Sequence, residues 1–469
     1  MVANNRKHSV LRIMAFGVIA ATMAHSADAA TQRILLVGDS WPMMMWIGCL
    51  PGRAFQNALT DRGYGQWEES GAFTAYTTTT ARDYGENAPT ASGLGRLDLV
   101  LRELNENPTI DIAHLSLGGN DFMDGDYSDI LGDPTFSSGW KKSWSGAQED
   151  LFFDAVCDQI CVVIEAMLDL RPDIRLAVCS YEFSGLTTGG GSRLETNEAG
   201  LRLEAKKLAL CQAISADPLY LDRCFYINAS GLMQYVYGYP YPLEPEEDPI
   251  YGPMGTPGTG GTIQKPGGYP TYDPFPGGDI TYPCPEGTVR DIIHLNRTGF
   301  ITLAGHCIDE FYGAWLDLPK VMSVVRTTPS PLNPNDLYNP TSADQVTFEV
   351  TFSEPVSGVD EVDFDVVMDG VIGASIESVS EAKDATTYEV TVTTGTGDGT
   401  LALAILDNDS ILDADLNPLG GVGTNNGYFA YGTPYDMDRS VGLALAACPM
   451  ALALLLAGLG LLRRHPRQQ

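Results

Sequence analysis

Ser40 closes the run Ile34-Leu35-Leu36-Val37-Gly38-Asp39-Ser40, in which four apolar residues stop at a glycine and two small polar side chains. A continuous apolar run suits a parallel strand covered on both faces. The serine would then sit at that strand's carboxyl end. As a nucleophile it needs a base, an orienting acid and donors for a developing oxyanion. Of the six histidines, His8, His25 and His465 fall in terminal segments. His114 lies inside the apolar stretch DIAHLSL, where a core histidine is expected, and His306 in a helical run facing core or solvent. His294 lies in the polar segment RDIIHLNRTGF, with Asp291 three residues before it. That spacing puts both side chains on one side of a turn. Asp291 can accept from one imidazole nitrogen and leave the other free to take the proton of Ser40.

The donors come from elsewhere in the chain. Asn120, in LSLGGND, follows a second apolar run and offers a side-chain amide. The backbone N–H of Ser40 is another donor, at the start of the next helix. A third would be a glycine N–H in the loop after strand 2. Gly85 is preferred to Gly93, because the chain from Ser92 onward reads as helix.

GDS at 38–40, GGND at 118–121 and DIIHLN at 291–296 resemble blocks I, III and V of the SGNH (GDSL-type) hydrolase family, in that family's order. The resemblance covers residues 33–317. It implies a flavodoxin-like three-layer α/β/α domain and ester hydrolysis through an acyl-enzyme, with no metal or cofactor. Ser40 would be the nucleophile, His294 the base and Asp291 its orienter, with Ser40, Gly85 and Asn120 around the oxyanion. Trp41 stands where the family often has leucine, and the segment before DIIHLN is longer than a simple member needs.

The elements that must position these residues alternate as strand and helix. Strands are expected at 33–37, 72–78 (weakly), 110–117, 174–180 and 222–228, and helices at 92–106, 147–171 and 194–216. That order reads as an α/β domain with a parallel sheet, over residues 30–320. All three site segments then fall at carboxyl ends of strands, where open α/β sheets place their sites. Residues 236–290 are dense in Pro, Gly and Tyr, and are expected to form a lid or substrate wall. Residues 321–436 are expected as a second domain: from about 343 to 433 the pattern turns to period-2 alternation, an all-β sandwich that resembles bacterial Ig-like modules. Its segment 327–438 holds 20 acids and one base, Lys383. Asp407, Asp409, Asp413 and Asp415 share one loop there, either as ligands of a structural calcium or as a solvated acidic loop.

The 469 residues carry a formal net charge of −32, which repels phosphate backbones and excludes nucleic acid as the expected partner. Residues 1–29 read as a secretory signal: bases, a short apolar run, then Ala27-Asp28-Ala29. Residues 437–469 carry an apolar stretch and a basic tail, expected as a transmembrane anchor or sorting segment. Export to the cell surface or periplasm makes disulfides the expectation for Cys49, Cys157, Cys161, Cys179, Cys211, Cys224, Cys284 and Cys307. Two functions fit: an exported serine esterase, or a surface binding protein with a non-catalytic hydrolase-like domain. Two substrates fit the esterase. The Tyr-rich insertion suits acetylated carbohydrate. Met43, Met44, Met45 and Trp46 suit lipid esters if they line an acyl pocket, and otherwise form the buried face of the first helix.

Overall fold

Leu35 and Val37 pack into one hydrophobic cluster, and Ile34 and Leu36 into another. The two-residue period of a strand therefore buries β1 (Thr31–Gly38) on both faces. The same alternation continues in β3 (Ile112–Ser116), β4 (Arg175–Cys179) and β5 (Cys224–Ile227). With β2 (Trp67–Ser70) these form a five-stranded parallel sheet in the order β2-β1-β3-β4-β5. This is the doubly wound order of flavodoxin-like sheets, with its switch point between β1 and β3. The computed structural model describes residues 30–47, 53–71, 73–183, 186–237, 293–295, 297–328 and 339–440.

Helices cover both faces. On one lie α3 (Ala81–Gly85), α4 (Arg96–Glu106), α6 (Gly146–Leu170) and α7 (Arg193–Ala216). On the other lie α1 (Ser40–Ile47), α2 (Ala54–Asp61) and α9 (Arg297–Cys307). The short helices α5 (Gly119–Asp124) and α8 (Leu232–Tyr237) follow β3 and β5. A π-helical turn at Ile308–Tyr312 runs into α10 (Gly313–Leu316). The starts of α6 and α7 are fixed by capping boxes, Ser145 with Gln148 and Ser192 with Glu195.

The strand expected at 72–78 is displaced to Trp67–Ser70. Residues 73–80 instead form a loop. Its threonines bond to backbone rather than joining a ladder: Thr74 Oγ1 donates to Leu36 O at 2.6 Å and Thr79 Oγ1 to Tyr76 O at 2.7 Å. The disulfide expectation is also corrected. The six described cysteines (157, 161, 179, 211, 224 and 307) are free thiols, and all but Cys161 are buried. They pack as small apolar side chains in the two cores. Cys49 and Cys284 lie outside the described residues, as do segments 1–29, 238–292 and 441–469. Among the described residues no helix is long and apolar enough to cross a membrane.

A second, antiparallel β region follows. β6 (Val321–Arg326), β7 (Gln345–Phe352), β10 (Thr387–Thr393) and β9 (Ser375–Lys383) form one sheet. β12 (Tyr435–Met437), β11 (Gly399–Ile405) and β8 (Phe364–Asp369) form the other. Inward-facing residues such as Phe348, Val390, Leu403 and Tyr435 fill the space between them. In the acidic loop Asp407 accepts from Gly427 N at 2.9 Å, and Asp413 from Asp415 N and Asn417 N at 2.8 Å each.

Candidate active site

The end of β1 is shaped by Gly38, whose φ is +135°. A Cβ there would lie 2.0 Å from Ser116 O of the neighbouring strand, so only glycine lets β1 turn beside β3. Asp39 N donates to Ser116 O at 3.1 Å, and Asp39 Oδ1 accepts from Trp41 N at 3.0 Å. The second bond holds the first turn of α1, with Ser40 as its first residue. His294 arrives just before α9, and its Nε2 lies 2.6 Å from Ser40 Oγ. A serine hydroxyl bonded to an imidazole nitrogen is the pairing that nucleophilic acyl transfer uses. Asp291, the expected orienter, lies outside the described residues.

Asn120 stands in the first turn of α5, after β3 and across the switch point from Ser40. Its Nδ2 donates to Thr79 O at 2.8 Å, which fixes the amide's orientation. Ser40, Gly119 and Asn120 share the wall of one cleft. Sequence reasoning thus put Ser40, Asn120 and His294 in one place, and the structure brings all three together. It does not bring Gly85 there. Gly85 lies in α3 against α6, where a Cβ would meet Gln159 Oε1 at 2.2 Å. It is a packing glycine, and Gly93 sits in an exposed turn.

The segment that does reach the site is loop 73–80. Tyr76 N donates to Gly38 O at 2.9 Å, and Thr79 O holds Asn120. Thr78 occupies the left-handed region at φ +61°, a conformation that a search for glycine overlooks. Asp121, the last residue of GGND, ties this loop to α5. Its buried carboxylate accepts from Ala81 N at 2.7 Å and from Tyr127 Oη at 2.6 Å.

Tyr181, after β4, is a second residue that sequence reasoning missed. Its Oη donates to Asp39 Oδ2 at 2.5 Å and accepts from Gly119 N at 3.1 Å. One phenol therefore joins the GDS turn to the GGND turn. Its ring meets Trp41 edge-on at 5.3 Å, and Lys207 Nζ lies 4.7 Å over it. Burial pushes the Asp39 carboxyl up to about 6, against the lowering effect of the bonds from Tyr181 and Trp41 N. The other two described histidines of the domain are structural. His114 is buried, its Nδ1 2.9 Å from Tyr312 Oη, and burial pulls its pKa down to about 3. His306 Nε2 bonds Asn228 O at 3.2 Å. Met44 and Met45 are buried in the core beneath the sheet, so the methionine cluster is the inner face of α1. From α1, Ser40 and Trp41 reach the cleft.

No family model matches the chain, and no curated protein matches it. Among solved structures it is similar to a family 3 carbohydrate esterase from Clostridium thermocellum, at 14% identity and TM-score 0.32, over 61% of this chain and 97% of that one. It is similar to a carbohydrate acetylesterase from Sinorhizobium meliloti at 13% identity and TM-score 0.32, over 61% and 99%. The native aryl esterase of M. smegmatis gives 12% identity and TM-score 0.31, over 61% and 99%. At such values the chemistry has to come from the residues themselves.

Proposed function

We propose that the chain is a serine ester hydrolase of the SGNH type. The observation that carries this reading is the 2.6 Å bond between Ser40 Oγ and His294 Nε2 at the switch point of a parallel sheet. Ser40 Oγ attacks the ester carbonyl carbon while His294 takes its proton. The carbonyl oxygen becomes an oxyanion held by the Ser40 N–H, the Asn120 amide and a backbone N–H of loop 73–80. Collapse expels the alcohol, which leaves with the proton from His294. Water then repeats the sequence on the acyl-serine and frees the acid. In this reading Asp291 orients His294. Residues 1–29 direct export, the β region is an appended Ig-like module, and residues 437–469 anchor or sort the protein.

The test is turnover of p-nitrophenyl esters by the full chain beside Ser40→Ala and His294→Gln, with folding checked by circular dichroism. Turnover that both substitutions abolish is the expected result. Undiminished turnover in Ser40→Ala removes the nucleophile and the reading with it.

A further inference from the structure

A cleft opens beside Ser40. Its walls come from α1, α5, the segment after β4, and α7. Trp41, Phe122, Phe183, Leu201 and Leu203 line it, all buried, with the half-buried Met123. The acidic groups in the lining are already engaged. Glu182 accepts from Phe183 N and Met233 N at 2.7 Å each. Glu204 accepts from Lys207 Nζ at 2.8 Å and Tyr226 Oη at 2.9 Å. The Thr196 hydroxyl accepts from Thr188 N at 3.3 Å. An alkyl chain entering here would leave water for these apolar side chains, which is favourable.

Gly200 adds a separate observation. It lies inside the long helix α7, where glycine is the poorest helix former after proline. Among the described residues nothing lies within 4 Å of a Cβ built on it, and its φ is not in the left-handed region. Neither packing against the described residues nor backbone conformation requires this glycine. It does line the cleft, and what its missing side chain provides is room.

We propose that this cleft is an acyl-chain pocket, that the enzyme's substrates are esters of medium-chain fatty acids, and that Gly200 sets the accepted chain length. The inference rests on the esterase reading for its chemistry. The acyl half is assigned because the lining includes Ser40, Gly119 and Asn120, which surround the carbonyl, but not His294. The departing alcohol takes its proton from His294 and so lies on that residue's side.

The experiment has two arms. In the first, kcat/KM is measured on p-nitrophenyl acetate, butyrate, octanoate and palmitate. It should rise about fourfold per buried methylene until the pocket is full, and fall for palmitate. Gly200→Leu should lower the octanoate-to-acetate ratio at least tenfold, and Met123→Trp should narrow the pocket from the opposite wall should the first variant fold poorly. In the second, sodium octanoate and sodium acetate are titrated calorimetrically into Ser40→Ala. Octanoate should bind, acetate should not, and Gly200→Leu should abolish the binding. Ser40-dependent turnover with a flat chain-length profile overturns the pocket and leaves the esterase standing. Octanoate binding without turnover of any ester does the reverse. Absence of both overturns both.

Discussion

Tyr181 is one hydroxyl on which two halves of the site depend. Tyr181→Phe keeps the ring contacts with Trp41 and Lys207 but leaves Asp39 Oδ2 and the Gly119 N–H without the Tyr181 hydroxyl. Buried polar groups left unpaired cost about 1–3 kcal/mol each. The expected outcome is a fall in kcat on the order of tenfold, with KM changed less, because the oxyanion loop loses its tie to the nucleophile turn. The loss also has a pH signature. The Tyr181 bond lowers the Asp39 pKa, which burial has raised to about 6, so removing it moves the Asp39 titration to higher pH in a kcat profile. An unmoved profile would show that Tyr181 only fills space. Asn120→Ala should cost about 10²–10³-fold in kcat while the protein stays folded, and retained activity would remove Asn120 from the site. Ser40, Asn120 and His294 were legible in the sequence because their chemistry is intrinsic to their type and they fall at strand ends. Tyr181 was not, because its role exists only once β1, β3 and β4 lie side by side. The third donor was sought as a glycine, whereas loop 73–80 reaches the site with Thr78 in a left-handed conformation.

At the scale of elements, β2 shows where pattern reading gave way. Trp67-Glu68-Glu69-Ser70 carries two acids and looks like a loop, while FTAYTTTT is rich in β-branched residues and looks like a strand. The assignments reverse because Arg53 neutralises the edge, with its guanidinium 2.9 Å from Glu68, and because the threonine hydroxyls bond backbone. The long helices were found within a few residues, since their apolar stripes and caps agree. The arrangement at β2 leaves Glu69 fully buried, and burial pushes its carboxyl up to about 7, with Arg53 opposing. A carboxyl raised in the folded state contributes stability that is whole below its unfolded pKa near 4.5 and is lost as pH rises through 7. The difference corresponds to roughly 3 kcal/mol. Glu69→Gln should therefore raise Tm at pH 8, have little effect at pH 4, and flatten the decline between. An equal effect at both pH values would mean that the charge is not the cause.

At the scale of the whole molecule, the two regions meet over a buried charge network at the amino ends of β1, β3 and β4, opposite the active-site edge. Arg33 donates to Asp111 at 3.0 Å and to Leu316 O at 3.1 Å, and Arg171 donates to Asp173 at 2.7 Å. Lys320, just before β6, lies 3.6 Å from Asp111 and 3.3 Å from Asp173. From the β region Tyr431 stacks under the Arg171 guanidinium at 4.4 Å, and Gly420 O accepts from Arg175. Burial pushes the Asp111 and Asp173 carboxyls up, but Arg33, Arg171 and Lys320 outweigh it and hold both below the usual range. Their stability is present above the ordinary carboxylate pKa and lost as pH falls through the lowered one. Lys320→Met leaves Asp111 and Asp173 to Arg33 and Arg171 alone and so raises both carboxyl pKa values. All six tryptophans lie at or before residue 315, so their fluorescence follows the α/β region alone, while amide exchange in β10 follows the β region. In the wild type the two signals should lose structure in one coincident transition, because the network makes each region part of the other's core. In Lys320→Met the acid midpoint of the tryptophan signal should move to higher pH and separate from the exchange signal. Separate transitions already present in the wild type would mean that the interface is a contact without cooperativity, and that Lys320 stabilises only the side on which its carboxylates lie.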